Sequence, residues 1–270
     1  MKVLESKFLQ DFVRMATDGF EMGWHERNAG NLTYRLTKEE ASSIKEDFDA
    51  GAWQPIGVSV PKLAGELFLV TGSGKFFRNV SIATEDSLGI IEIDHLGENF
   101  RIIWGLIDKG KPTSELPTHL LSHAAKLEMG YRIVYHAHTP AIIALTFILP
   151  PDDIVFTRKL WEMMTECPVV FPDGVGIVPW MIPGGIEIGI QTSKLMSKYD
   201  AAIWCHHGTF ATGPSFDITF GLMHTLEKAA DILIKIMSTN QKILQTITPQ
   251  NFRDLAEAFG VTLDEKFLQD

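Results

Sequence analysis

The sequence predicts one α/β domain, a central mixed sheet with helices on both faces. Three observations carry this: helical and strand periodicities interleave without strict β-α-β order, no shift in composition divides the chain, and no stretch repeats. A length of 270 residues admits one large domain or two small ones, so it is the unbroken composition that decides for one. Hydrophobic residues at 45% and charged residues at 21% are the balance of a packed chain, which excludes a disordered one.

Leu4, Phe8, Phe12, Met15 and Phe20 form a helical stripe over residues 4–23, closed by Gly23. Asn28-Ala29-Gly30-Asn31 favours tight turns over any regular element, and residues 37–65 read as a polar excursion broken by Gly and Pro. Residues 67–70 are a short buried strand entering Thr71-Gly72-Ser73-Gly74-Lys75. Residues 88–93 and 100–106 flank His95-Leu96-Gly97-Glu98 as a hairpin. Ser114 reads as the N-cap of a helix over 115–127, with Pro117 in its first turn. A strand over 132–136 follows, and Pro140 opens a helix reaching about residue 149. Residues 169–171 and 176–178 read as short strands around Pro172-Asp173-Gly174. A helix over 186–199 leads to a strand over 201–205 that delivers His206 and His207. The longest helix, 215–238, places Ile218, Leu222, Leu226, Ala229 and Leu233 on one face, and a short helix over 249–259 ends at Gly260.

A net charge of −10 with no Lys/Arg-rich run argues against nucleic acid as a partner. Two cysteines outside any CxxC pair give no disulfide framework and read as free thiols of a reducing cytoplasm. The first seven residues lack a signal peptide's apolar stretch, and no run approaches the ~18 apolar residues of a membrane span. The expectation is a soluble, cytoplasmic protein with no membrane partner.

The residues that point to chemistry begin with His136-Ala137-His138. Histidines at i, i+2 on an extended segment project to the same side, so both imidazoles reach one metal ion. His207, directly before Gly208 at a strand's end, completes a His₃ set with an open position for substrate, the arrangement of a catalytic zinc. Such a pair can equally well hydrogen-bond within a core. His119 and His123, at i, i+4 on a helix, have a spacing that also suits zinc, but lack the Glu that follows the first His of a zincin. Cys205 and His206 are further candidate ligands, with His206 facing away from His207 if the strand continues. His25, His95 and His224 stand alone and read as surface or satisfied core groups.

Glu115 can serve as an acid or base beside the metal, or be a carboxylate favoured in a first helical turn. Glu166, ahead of apolar residues 169–171, is either paired or raised in pKa. Thr71-Gly72-Ser73-Gly74-Lys75 reads as an anion cradle or as a plain strand-exit turn; its spacing is not that of a P-loop. Asn28, Asn31 and the Ser114 hydroxyl add neutral donors, three donor-rich turns in all.

On these pieces the chain resembles the class II aldolase/adducin family over nearly its whole length. The resemblance rests on Glu26-Arg27-Asn28-Ala29-Gly30-Asn31-Leu32-Thr33, on residues 70–80 with Thr-Gly-Ser-Gly-Lys, and on Thr113-Ser114-Glu115-Leu116-Pro117. It continues through His136-Ala137-His138, Leu160-Trp161-Glu162, Thr165-Glu166-Cys167 and residues 171–176. It implies a mostly antiparallel sheet and one domain over 1–270, with residues 1 to about 85 as a subregion able to move. It also implies zinc-dependent, reversible retro-aldol cleavage of a sugar phosphate. Stretches 26–33 and 165–176 are particular to the branch that acts on L-rhamnulose 1-phosphate, giving dihydroxyacetone phosphate and L-lactaldehyde in L-rhamnose catabolism.

Carried over by position, the resemblance implies that His136, His138 and His207 hold one Zn²⁺ per subunit and that Glu115 is the catalytic acid/base. It places Asn28, Ser73, Gly74 and Ser114 around the phosphate and Asn31 near the reacting end of the substrate. Glu166 is implied to act in a neighbouring subunit's active site within a cyclic homotetramer. Ala137 stands where the family carries a cysteine and should point away from the metal. Sister activities share this chemistry: fuculose-phosphate aldolase and pentulose-phosphate 4-epimerase. A non-catalytic adducin-like interaction module shares the fold, and loss of the metal histidines would favour it. Imidazole ligands also accept iron, cobalt or nickel.

Overall fold

A computed structural model describes residues 1–107 and 109–269. Its strands in chain order are β1 Asn31–Arg35, β2 Gln54–Pro55, β3 Leu67–Thr71, β4 Leu88–Ile93, β5 Asn99–Gly105, β6 Ile133–Ala137, β7 Gly176–Val178, β8 Ala201–Trp204 and β9 Gly208–Gly213. Together they form one sheet in the order β2-β5-β4-β3-β1-β6-β9-β8-β7. Every pairing is antiparallel except β7 with β8. The helices are α1 Lys7–Glu21, α2 Lys38–Ser43, α3 Thr84–Ser87, α4 Leu116–Lys126, α5 Pro140–Leu145, α6 Asp153–Trp161, α7 Cys167–Val170, α8 Ile186–Met196, α9 Phe216–Ser238 and α10 Pro249–Phe259.

Side chains alternate across the sheet with the period of two that a strand imposes. Leu32, Tyr34, Leu69, Ile133, Tyr135, Ala137 and Ala211 face a core closed by α1, α5, α6, α7, α9 and α10. Phe68, Val70, Val134, Ala202, Trp204 and Phe210 face the opposite side, covered by α4 and α8. The expected α/β architecture, a mixed and mostly antiparallel sheet with helices on both faces, is therefore present.

Several local expectations are corrected. Residues 169–171 are not a strand. Pro168 sits in the first turn of α7, where its missing N–H costs nothing, and the chain makes one helical turn there. Ser114 does not cap α4; the flanking position is Glu115, whose N–H donates to Thr113 Oγ1 at 3.2 Å. The helix over 186–199 ends at Met196. Asn31, expected in a turn, opens β1: it pairs with His136 of β6, and the strand it begins runs between β3 and β6. The excursion 37–65 contains α2, capped by Thr37 and Glu40, and the two-residue edge strand β2. Strand β9 and helix α6, with Asp152 as its N-cap, were not anticipated.

Candidate active site and metal centre

The site grows from three adjacent strands. Asn31 of β1 pairs with His136 of β6, which in turn pairs with Phe210 of β9. His136 therefore stands on the α4/α8 face, while Ala137 is buried on the opposite side, away from the site. His138 follows one residue past the end of β6, its N–H donating to Trp24 O at 3.0 Å. His207 lies in the turn joining β8 to β9. That turn closes because His206 adopts a left-handed conformation with φ 61°, which aims its ring at Thr146 and Phe147 instead. Gly208 allows β9 to lie close against β6, since a Cβ there would sit 2.4 Å from Ala137 O.

The ligating atoms of His136, His138 and His207 lie within 4.8 Å of one another. The ring of His136 is fixed by its Nδ1–H, which donates to Thr209 O at 3.1 Å, leaving the lone pair on Nε2. Nε2 is buried and has no hydrogen-bond partner. A buried polar atom left unsatisfied costs free energy, and this one faces the two other imidazoles, so the set fits a divalent ion. Burial, then the neighbouring His207 and His138, hold His136 well below the usual imidazole pKa; burial and His138 bring His207 down to about 4. Both rings are thus neutral, the form that binds metal. The Nδ1 of His138 meets Glu26 Oε1 at 2.6 Å, which leaves Nε2 for the ion.

Glu115 enters at the N-terminus of α4, buried, with Oε2 accepting from Asn31 Nδ2 at 2.8 Å and lying 3.8 Å from His136 Nε2. Burial raises its pKa to about 7 against the lowering effect of the Asn31 hydrogen bond. The close approach of Glu115 and His136 is consequently no ion pair, since burial favours the neutral form of each.

These groups open into one cleft, lined also by Asn28, Gly30, Ser73, Gly74, Ser114, Pro183 and Gly184. Asn28, Ser73 and Ser114 are exposed at it. The Thr71–Lys75 turn is less of an amide cradle than its glycines suggest. The Gly72 N–H donates to Ser87 O, the Ser73 N–H to Lys111 O and the Lys75 N–H to Gly72 O, while Lys75 Nζ is paired with Asp86. What the turn leaves free among the described residues is the Ser73 hydroxyl and the Gly74 N–H. Gly30, at φ 75°, lets the 28–31 turn pass within contact of His25 and of the His136 carbonyl.

Of the residues expected in the site, Asn28, Asn31, Ser73, Gly74, Ser114, Glu115, His136, His138 and His207 all line this cleft. Glu166 does not; it is exposed at the start of α7. His119 and His123 are not ligands: Thr33 Oγ1 bridges His119 Nδ1 and His123 Nε2 at 2.8 Å each. Sequence reasoning missed Glu26 as the partner of His138, and missed the Pro183-Gly184 segment. The only signals were that Glu26 opens one of the resembling stretches and that Pro-Gly-Gly marks a turn.

Fold and site together define a class. The family described as "Class II Aldolase and Adducin N-terminal domain" matches residues 10–234, and the chain belongs to it. It is similar to the rhamnulose-1-phosphate aldolase of Mannheimia succiniciproducens, 46% identical over 264 residues, covering 96% of this chain and 97% of that one. The rhamnulose-1-phosphate aldolase of Escherichia coli (strain SMS-3-5 / SECEC) is 44% identical over 264 residues and 96% of each chain. Among solved structures, a sugar-phosphate aldolase from Thermotoga maritima superposes with a TM-score of 0.74 at 27% identity, over 87% of this chain and 97% of that one. An L-fuculose-1-phosphate aldolase from Thermus thermophilus shares the fold, with a TM-score of 0.56 at 20% identity over 87% and 98%.

Proposed function

We propose that this chain cleaves L-rhamnulose 1-phosphate reversibly to dihydroxyacetone phosphate and L-lactaldehyde, the activity for which relatives at 44–46% identity are named. The observation that carries the reading is the convergence in one cleft of a three-histidine cluster and a buried carboxylate, Glu115 Oε2 lying 3.8 Å from His136 Nε2. Three imidazoles with room for substrate suit Zn²⁺, which we take as the resident ion, one per subunit. When bound, the ion supplies Lewis-acid polarisation to the carbonyl and hydroxyl oxygens of the ketose.

The chain's own residues do the rest. Cleavage removes the proton of the C4 hydroxyl, breaks the C3–C4 bond and returns a proton to C3. Glu115 delivers that proton, and in synthesis removes it; in the metal-free chain its pKa of about 7 makes both forms accessible near neutrality. Asn28, Ser73, Ser114 and the Gly74 N–H hold the phosphate without any lysine or arginine among the lining residues. Binding there is remote from the bond that breaks and fixes the dihydroxyacetone half for reaction. Glu166, exposed on its own chain, acts on the C4 hydroxyl proton in a neighbouring copy of a homotetramer. The buried, unpaired Cys167 and Cys205 suit a reducing cytoplasm.

The test is release of dihydroxyacetone phosphate from L-rhamnulose 1-phosphate before and after chelation. Chelator-sensitive release restored by zinc is expected. No release from folded, zinc-loaded protein rejects the substrate and redirects the assignment to fuculose and pentulose phosphates.

A further inference from the structure

Behind Glu115 runs a buried chain of hydrogen bonds that its chemistry as an acid/base does not by itself require. Asn31 Nδ2 donates to Glu115 Oε2 at 2.8 Å, while Asn31 Oδ1 meets His119 Nε2. His119 Nδ1 meets Thr33 Oγ1, and Thr33 Oγ1 meets His123 Nε2, each at 2.8 Å. Asn31, Thr33, Glu115, His119 and His123 are all at least nine-tenths buried, so bulk water has little access to these groups.

The donors in this chain have one consistent direction. The amide oxygen of Asn31 can only accept, so His119 Nε2 carries a proton. Burial keeps the His119 ring neutral, bringing its pKa down to about 3 against the raising effect of the Val134 backbone; with the ring's one proton on Nε2, Nδ1 is bare and accepts from the Thr33 hydroxyl. That hydroxyl, its proton committed, then accepts from His123 Nε2–H. Every donor from His123 onward points toward Glu115. Oε2 is thereby held as an acceptor, and Oε1, which has no hydrogen-bond partner among the described residues, is the oxygen left to exchange a proton with substrate.

We propose that His119 is a positioning residue: through Asn31 it fixes which oxygen of Glu115 faces substrate, and Thr33 sets the His119 tautomer that makes this possible. The inference rests on the reading of Glu115 as the proton carrier at C3. Without a donor at His119 Nε2, nothing prevents the Asn31 amide from turning over, which would present its oxygen to the carboxylate. A hydrogen-bonding partner that orients a working group matters as much as the group's own identity.

The test isolates Glu115's step by following exchange of deuterium from D₂O into C3 of dihydroxyacetone phosphate, which needs no aldehyde. His119→Phe removes the donor and keeps a ring; His119→Gln places an amide N–H near the position of Nε2. His119→Phe should slow exchange by about tenfold to a hundredfold, the range typical when an orienting partner is lost. KM for dihydroxyacetone phosphate and bound zinc should stay unchanged, and His119→Gln should recover most of the rate. Thr33→Val should act in the same direction as His119→Phe, and Thr33→Ser should not. Neutron diffraction from the metal-free variants, which tells the amide nitrogen from its oxygen, gives a reading independent of turnover: the Asn31 Nδ2 contact to Glu115 is lost in His119→Phe and kept in His119→Gln. Wild-type exchange in His119→Phe, equal losses in His119→Phe and His119→Gln, or an unmoved Asn31 amide would each overturn the proposal. If zinc-loaded wild-type protein fails to exchange C3, the proposed activity falls, and the Asn31 contact alone decides this inference.

Discussion

Glu26 Oε1 lies 2.6 Å from Nδ1 of His138, although the two residues come from different segments and Glu26 is largely exposed. The carboxylate fixes the tautomer and orientation of His138, which lies one residue past the end of β6 and has no strand to hold it. Glu26→Ala should therefore weaken metal affinity by about tenfold to a hundredfold. Competition with a chromophoric chelator measures this, and affinity equal to wild type would remove Glu26 from the site.

The free hydroxyl of Ser73 and the amide of Asn28 line the cleft, and in the proposed reaction they hold the phosphate. A hydrogen bond to a charged group contributes about 1.5–3 kcal/mol, so Ser73→Ala and Asn28→Ala should each raise KM for dihydroxyacetone phosphate by roughly tenfold or more. Inhibition by inorganic phosphate should weaken in parallel. Variants that lower kcat at unchanged KM would instead place these residues at the reacting carbons.

Acid should destabilise the metal-free protein. Burial brings His25 and His119 down to about 3 and His207 to about 4, and holds His123 and His136 well below the usual imidazole value of 6.5. Below 6.5 the unfolded chain binds protons that the folded chain refuses, so stability is full above that value and falls as pH drops toward the folded values. Between about pH 7.5 and about pH 5.5 each such histidine costs about 1.4 kcal/mol. Glu115 has the opposite sign: its pKa, raised to about 7, favours the folded state as pH falls toward its unfolded value, and it offsets roughly one of the five histidines. Urea unfolding at the two pH values should show a net loss on acidification; a flat profile would refute the neutral burial of these rings.

Gly208→Ala drives a Cβ to 2.4 Å from Ala137 O, which is backbone and cannot swing aside. Strands β6 and β9 must then part, carrying His136 away from His207. A loss of more than about 2 kcal/mol in chemical denaturation is expected, together with weakened metal binding. A wild-type midpoint would mean that the β8–β9 turn relaxes freely.

The His136–His138 pair was legible because its cause is local. A period of two puts His136 and His138 on one side and Ala137 on the other, and a glycine after His207 marks a turn. Elements fixed by their neighbours were not legible. Asn31–Arg35 begins in an Asn-Ala-Gly-Asn run that favours turns, and becomes a strand only because β3 and β6 claim both its edges. Gly208–Gly213 has glycine at both ends and reads as loop until β6 and β8 enclose it. The β-branched and aromatic residues 169–171 suggested a strand, yet they belong to a segment whose helical turn starts at Cys167-Pro168. Likewise, spacing cannot show that a threonine from β1 occupies the gap between His119 and His123.

The pairing of Asn31 with His136 joins strands that are distant in sequence, and His207 enters from a third segment further along. Contacts of such long sequence separation carry a large loop-closure cost and form slowly. No local segment contains more than two of the three histidines, so a bound ion could not nucleate the chain as it does in a zinc finger. Metal capture must come late, after the central strands have found their register, and refolding rates should depend little on whether zinc is present.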